Sequence, residues 1–207
     1  MFIEEIKQAR NTKRNFKQTF DLIISLKNMD LKKPENRIKT EVVLPKGLGK
    51  TQKVCVIADA LLPYVKDIEN VIVIRKDQLE RMGKKEAKRI ASEAANFVAE
   101  PSLMPLVGKY MGQTLAPKNK MPKPIPPTLT NIKPFLERYL NLIKIVLKES
   151  PVIQVPLGNE DMSDEDIGEN AEAVMNAIKT VLPKGTDQIR AVIIKTSMGK
   201  PIKVSKW

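Results

Sequence analysis

Between Asn15 and Leu26 the chain alternates. Phe16, Gln18, Phe20, Leu22, Ile24 and Leu26 fall on one side, and Lys17, Thr19, Asp21, Ile23 and Ser25 on the other. A period of two predicts a long strand with one buried face. Ahead of it, Phe2, Ile3 and Ile6 recur at helical spacing with Glu4 and Glu5 in the first turn, which predicts a short helix over 2–10. After the polar stretch LKKPENR, residues 38–44 and the Pro45 that ends them predict the partner strand of a long-looped hairpin.

The pattern changes after residue 50. VCVIA (54–58) and VIVI (71–74) are short continuous apolar runs, with a helical stretch at 61–68 between them. A helix over 77–95, a strand at 96–99 and helices over 102–115 and 130–140 follow. Short apolar strands alternating with helices predict a parallel sheet covered on both faces, a three-layer α/β unit. Strand patterns return at 142–148 and 151–158. Ser163 then opens a helix, with Asp166 three residues on and acids through the first turn. The acidic run 160–169 is helix-start chemistry, because it lacks the spacing and central glycine of a calcium loop. Residues 189–195 and 201–205 predict a hairpin around TSMGK. The two ends of the chain thus share one pattern and the middle has another. The expected architecture is a mixed α/β (α+β) chain of two domains, one discontinuous and built from both termini, the other inserted.

Composition narrows what such a chain can do. There is no histidine, so Ser–His and Cys–His catalysis and the common zinc sites are excluded. No catalytic residue, metal ligand or cofactor is expected. The one cysteine, Cys55, lies in an apolar run and reads as a buried small hydrophobe in a reducing, cytoplasmic compartment. No apolar run approaches the roughly 20 residues that span a bilayer, and the amphipathic N-terminus carries two acids, so no membrane partner and no secretory signal are expected. The net charge is +12, and residues 1–50 and 101–150 each contribute +6 of it. Two separate basic segments point to a polyanion.

LPKGLGKT (44–51) ends like a phosphate-binding loop, but the opening glycine of that loop would stand where the chain has Leu44. No G-x-G-x-x-G follows VCVIA either, the sequence there being ADALLPYV. The two glycines read instead as a hinge with a basic rim, at the point where the chain passes into the inserted unit. A second LPKG, at 182–185, reads as a helix stop with Gly185 at the cap. APKNKMPKPIPP (116–127) carries Lys118, Lys120 and Lys123, with no acid from Pro101 to Thr130. It reads either as a stiff connector or as a second polyanion contact.

Four strings then stand in order: NFKQTFDL, LPKGLGK, MGQTLAPKNKMPKP and TSMGKP. With them, essentially the whole chain resembles the large-subunit ribosomal protein L-one family in its archaeal-length form. The resemblance implies a split β-α-β, ferredoxin-like domain I from residues 1–47 plus 142–207. It implies a Rossmann-like three-layer α/β domain II at 48–141, with hinges at Gly47, Leu48, Asn141 and Leu142. Members of the family bind a kinked element of large-subunit rRNA, forming a mobile stalk beside the exit-site tRNA. Several also repress translation by binding their own mRNA. The implied place is the cytoplasmic ribosome, and the implied state outside it a monomer.

The resemblance puts the RNA surface on domain I, at Phe16, Thr19 and Asp21 and at Thr196, Ser197, Met198 and Gly199. Ser197 stands where a common variant has Thr, which keeps a hydroxyl. From the residues alone, Phe16 on an alternating face is core and TSMGK is a hairpin turn. The resemblance turns Phe16 outward, where base–aromatic stacking is worth about 1–3 kcal/mol. Lys13, Arg14, Lys17, Lys46 and Lys200 would supply phosphate contacts. The central loop departs from the family's usual L-G-P-R-G-x-M-P, losing two glycines and keeping charge at Lys118 and Lys120, with exit-site tRNA as the implied partner. Two other functions compete: an enzyme acting on a nucleotide, and a general RNA-binding module without a ribosomal role.

Overall fold

The structure is a computed structural model that describes residues 2–10, 14–29, 31, 37–65, 68–125, 132–147 and 150–205. Lys13, the middle of the 27–37 loop and residues 126–131 lie outside the described residues. In chain order the elements are α1 (Ile3–Ala9), β1 (Thr19–Leu26), β2 (Lys39–Val43), β3 (Lys53–Ile57), α2 (Leu62–Val65), β4 (Val71–Ile74), α3 (Lys76–Arg81), α4 (Lys84–Glu93) and β5 (Ala94–Ala99). They continue with α5 (Met104–Leu115), β6 (Lys123–Pro124), α6 (Lys133–Leu140), β7 (Leu142–Val146), β8 (Val152–Asn159), α7 (Asp164–Val181), β9 (Ile189–Thr196) and β10 (Ile202–Lys203). The chain divides into two compact units, residues 1–50 with 141–207, and residues 51–140.

In the first unit an antiparallel sheet runs in the order β10-β9-β1-β8. The alternation of β1 is fully used: Phe20, Leu22, Ile24 and Leu26 are buried, and the residues between them are half-buried. That face packs with Phe2 and Ile6 of α1 and with Ile167, Val174 and Ile178 of α7 in one core. Ser163 caps α7 by accepting from the Asp166 N–H at 3.1 Å, with three acids in the first turn.

The expected hairpin of residues 15–26 with 38–44 does not form. β1 already has β8 on one edge and β9 on the other, and β2 pairs instead with β7, Val43 opposite Leu142. Alternation fixes which face of a strand is buried, but not which strand fills its edges. One consequence is that the two connections to the other unit leave side by side, with the Leu44 N–H donating to the Asn141 carbonyl at 3.0 Å.

In the second unit a parallel sheet runs β4-β3-β5-β6. Cys55, Ile57, Phe97 and Ala99 face α3, α4 and α5. Val54, Val56 and Val98 face α2 and α6. Burial on both faces explains why these strands read as continuous apolar runs. The helix expected over 77–95 is broken at Met82–Gly83, where the backbone is extended, and its last residues join β5 by pairing with β3. Helix propensity in ASEAA yields there to the sheet ladder. Cys55 is buried, and burial pushes its thiol well above the usual range. Among the described residues no helix is long and apolar enough to cross a membrane.

Candidate nucleic-acid interface

The strand predicted from Asn15 begins only at Thr19, and the residues before it build a surface. Phe16 is 52% exposed and Met198 60%, the two most exposed large apolar side chains among the described residues of the first unit. Gln18, two residues on from Phe16, is fully buried. Its backbone N–H and side-chain Nε2 donate to the two carboxylate oxygens of Glu160, at 3.1 and 2.9 Å. Its Oε1 accepts the Met198 N–H at 3.0 Å. One glutamine therefore ties the β1 entrance to the acidic loop before α7 and to the turn after β9.

That turn closes with the Gly199 N–H donating to the Thr196 carbonyl at 3.0 Å, so Ser197 and Met198 occupy its tip. The Thr19 N–H donates to Ser197 Oγ at 3.1 Å, and the Ser197 N–H returns to the Thr19 carbonyl at 3.0 Å. Thr196 is fully buried and its hydroxyl has no hydrogen-bond partner among the described residues, so its part is to shape the turn. Thr19, Ser197, Met198 and Gly199 are thus brought together, with Phe16 three residues before Thr19 in the chain. Lys200 follows them, exposed.

The acids around this surface are occupied. Lys17 pairs with Asp161 at 2.7 Å, and that hydrogen bond and charge raise its pKa. Lys46 stands 3.4 Å from Asp166 and 3.5 Å from Glu169, with the charge of Glu169 the larger cause of its raised pKa. Asp21 is different. Burial raises its pKa, against the pull of Lys195 and Lys50. It lines a cavity of about 380 Å³ on the open face of the sheet, with Ile23, Gln154, Pro156 and Lys195.

Sequence reading missed three supports. Arg10, at the end of α1, donates to the carbonyls of Glu160 and Met162 and pairs with Asp164, which fixes the acidic loop. Lys50 donates to the Thr19 hydroxyl at 2.9 Å. Asn170, fully buried, accepts from the Lys46 N–H at 3.1 Å and donates to the carbonyls of Gly47 and Leu157 at 2.7 and 2.8 Å. None has a sequence signal beyond its polarity, because each makes a contact across more than 30 residues of chain.

The glycines of LPKGLGKT also find their reason. Gly47 and Gly49 sit at φ +66° and +65°, and a Cβ would lie 2.8 Å from Asn141 Oδ1 and 2.5 Å from Asn159 Oδ1 respectively. Asn159 Nδ2 holds the Gly49 carbonyl at 2.9 Å. The loop is wrapped around asparagine side chains, not open for a phosphate. In the second unit, the Asp59 and Leu61 N–H groups that follow β3 both donate to Glu100 Oε1, at 3.0 and 2.8 Å. Beyond the carboxyl ends of neighbouring parallel strands whose onward connections run to opposite sides, as those of β3 and β5 do here, a nucleotide site usually opens. A carboxylate of the chain itself occupies those amides.

The lysines of the central loop divide. Lys118 reaches Ser92 Oγ at 2.9 Å. Lys120 is half-buried and donates to the carbonyls of Ala91 and Ala94, at 2.9 and 2.7 Å, closing the end of α4. Burial, and then the nearby Lys118 charge, lower its pKa. Lys123 lies half-buried on β6.

Phe16 and Met198 are exposed, and Thr19 and Ser197 bring hydroxyls to the turn between β9 and β10. Comparison with known proteins gives the family. The model of the ribosomal protein L1p/L10e family matches residues 6–200, and the chain belongs to that family. The "Large ribosomal subunit protein uL1" of Thermococcus kodakarensis is 44% identical, covering 99% of this chain and 96% of the relative. That of Pyrococcus horikoshii is 45% identical over 98% and 94%, and that of Methanobrevibacter smithii 44% over 98% and 97%. The family is one of structural ribosomal proteins, not of enzymes.

Proposed function

We propose that this chain is a structural constituent of the large ribosomal subunit that grips a folded element of large-subunit rRNA through the first unit. The observation that carries this reading is the buried Gln18, which locks the Met198 turn beside the exposed Phe16. A preformed surface loses little freedom on binding. Phe16 offers a face for stacking, and Thr19, Ser197 and the turn's backbone offer short polar groups to riboses. Lys17, Lys46, Lys50 and Lys200 supply the salt-sensitive contribution.

The finer reading follows the family. The first unit is a ferredoxin-like domain I, and the second a Rossmann-like domain II, inserted close to residues 48–141. The chain forms the mobile stalk beside the exit-site tRNA on cytoplasmic ribosomes, is a monomer when free, and represses translation by binding its own mRNA. Because Asn170 and Asn159 hold Lys46, Gly47 and Gly49, the hinge of the first connection falls just beyond Gly49. Binding to an rRNA stalk fragment and to a scrambled RNA of equal length, at near-physiological salt, tests the core of the proposal. Selective binding that Met198→Ala removes supports it. Equal affinity for both RNAs would make the chain a general RNA-binding module.

A further inference from the structure

Helix α4 carries a basic face that its own helix chemistry opposes. Ala87, Ile90 and Ala91 point into the core of the second unit. At 3.6 residues per turn, Lys84, Lys85, Lys88 and Ser92 share about 100° of arc beside that buried face. All four are exposed. The acids of the helix, Glu86 and Glu93, lie to the flank with Arg89, lining a cavity of about 460 Å³ beside β4. Glu93 is already paired with Lys53 at 2.5 Å. Among the described residues no acid lies within ion-pair distance of Lys84, Lys85, Lys88 or Lys118.

Two features of this face weaken the helix. Lys84 and Lys85 occupy the first turn, where the helix dipole favours acids and only Glu86 supplies one. Lys84 with Lys88, and Lys85 with Arg89, are like-charge pairs at i, i+4, which destabilise a helix. Lys118 then arrives from a separate segment to hydrogen-bond Ser92 in the last turn, extending the charge of the face. Local rules broken together, with no gain in packing, mark a functional surface.

We propose that the α4 face, extended by Lys118, is a second RNA-binding surface that takes the phosphodiester backbone of an RNA duplex without reading its sequence. The proposal rests on the reading that the protein works on RNA. Lysines act as point charges suited to phosphates, and the cores of protein interfaces are depleted in them. A membrane-surface helix would keep an apolar face free, whereas the apolar face of α4 is buried in the core.

The test uses the full chain, an RNA duplex of about 20 base pairs and arbitrary sequence, and a salt series. The double variant K84E/K88E is expected to bind the duplex at least tenfold more weakly, with a salt slope smaller by about two. Its melting temperature should not fall, since the changes relieve repulsion on an exposed face. Its selectivity for the rRNA stalk fragment over scrambled RNA should persist, while Met198→Ala should lose that selectivity and keep duplex binding. Unchanged duplex affinity and slope in K84E/K88E would overturn the inference. So would binding to phosphatidylserine vesicles that K84E/K88E abolishes while duplex binding stays intact. Retained selectivity in Met198→Ala would instead count against the domain I surface and leave the α4 result standing.

Discussion

Gln18 and Met198 are 180 residues apart in sequence and joined by one hydrogen bond, Met198 N–H to Gln18 Oε1 at 3.0 Å. The same side chain gives its Nε2 to Glu160. The exposed tip of the surface is therefore held from below by a residue that no partner can touch. Gln18→Ala should leave the Glu160 carboxylate and the Met198 N–H short of partners, a loss of about 1–3 kcal/mol in urea unfolding. Affinity for the rRNA stalk fragment should fall with it. Full affinity at reduced stability would show that the turn needs no such support.

Met198→Ala separates the two effects in the other direction. The side chain is largely exposed, so stability should change by less than about 0.5 kcal/mol. Affinity for the rRNA fragment should drop roughly tenfold, the scale of a lost contact of about 1–3 kcal/mol. Parallel unfolding and filter-binding curves check both halves of the expectation.

Asp21 gives a pH dependence with a definite sign. Its folded pKa is raised by burial, so the folded state holds the proton more tightly than the unfolded chain. Its ionised carboxylate thus opposes folding above the raised pKa, and that cost fades as the pH falls towards 3.8. Asp21→Asn should be more stable than the parent at pH 7, with the difference shrinking as the pH falls through the raised value and gone by pH 3.8. The same variant should lose RNA selectivity, as expected where a functional group is kept at the expense of stability. Equal stability at both pH values would show that neighbouring charges cancel the burial.

Lys120 behaves as part of the fold. Lys120→Met should remove two hydrogen bonds from the end of α4 and lower the stability of the second unit by about 1 kcal/mol. In the parent, the lowered pKa means that the charged form opposes folding, so this cost is relieved as pH rises through the lowered value towards 10.5. Lys118→Met should be close to neutral for stability. Thermal melts of both variants between pH 7 and pH 10 would distinguish the two lysines.

Gly49→Ala should destabilise by about 1–3 kcal/mol, because the residue sits at positive φ and the new methyl would meet the Asn159 side chain. Asn159→Ala made in the same chain should recover part of that loss by clearing the contact. No recovery would leave the cost with the backbone conformation and with Met162, whose Cγ the methyl would also meet at 2.8 Å.

Much of this molecule was legible along the chain. Alternation from Phe20 to Leu26 marked the buried face of β1, and Ser163 with three acids marked the start of α7. Continuous apolar runs marked the two-sided burial of β3. Each is a local rule, in which a residue's neighbours within a turn or two of chain set the outcome. Net charge and the absence of histidine likewise needed only counting.

Other features depend on which distant segments meet, and they were decided in three dimensions. β2 pairs with β7 because β1 has both edges filled. Thr196 is buried whereas Phe16 is exposed, although both stood as candidate contacts, because the β1 entrance bends away to seat Gln18 over Glu160. Lys120 caps a helix and Lys118 joins a basic face, a division set by the path of one loop over α4. Most of the elements, their buried faces and the excess of positive charge follow from short-range periodicity and composition, although the 77–95 helix breaks and β1 starts only at Thr19. Strand partners, buried polar clamps and the assignment of each lysine came only with the tertiary structure, because hydrogen bonds and burial depend on distances that chain separation does not encode.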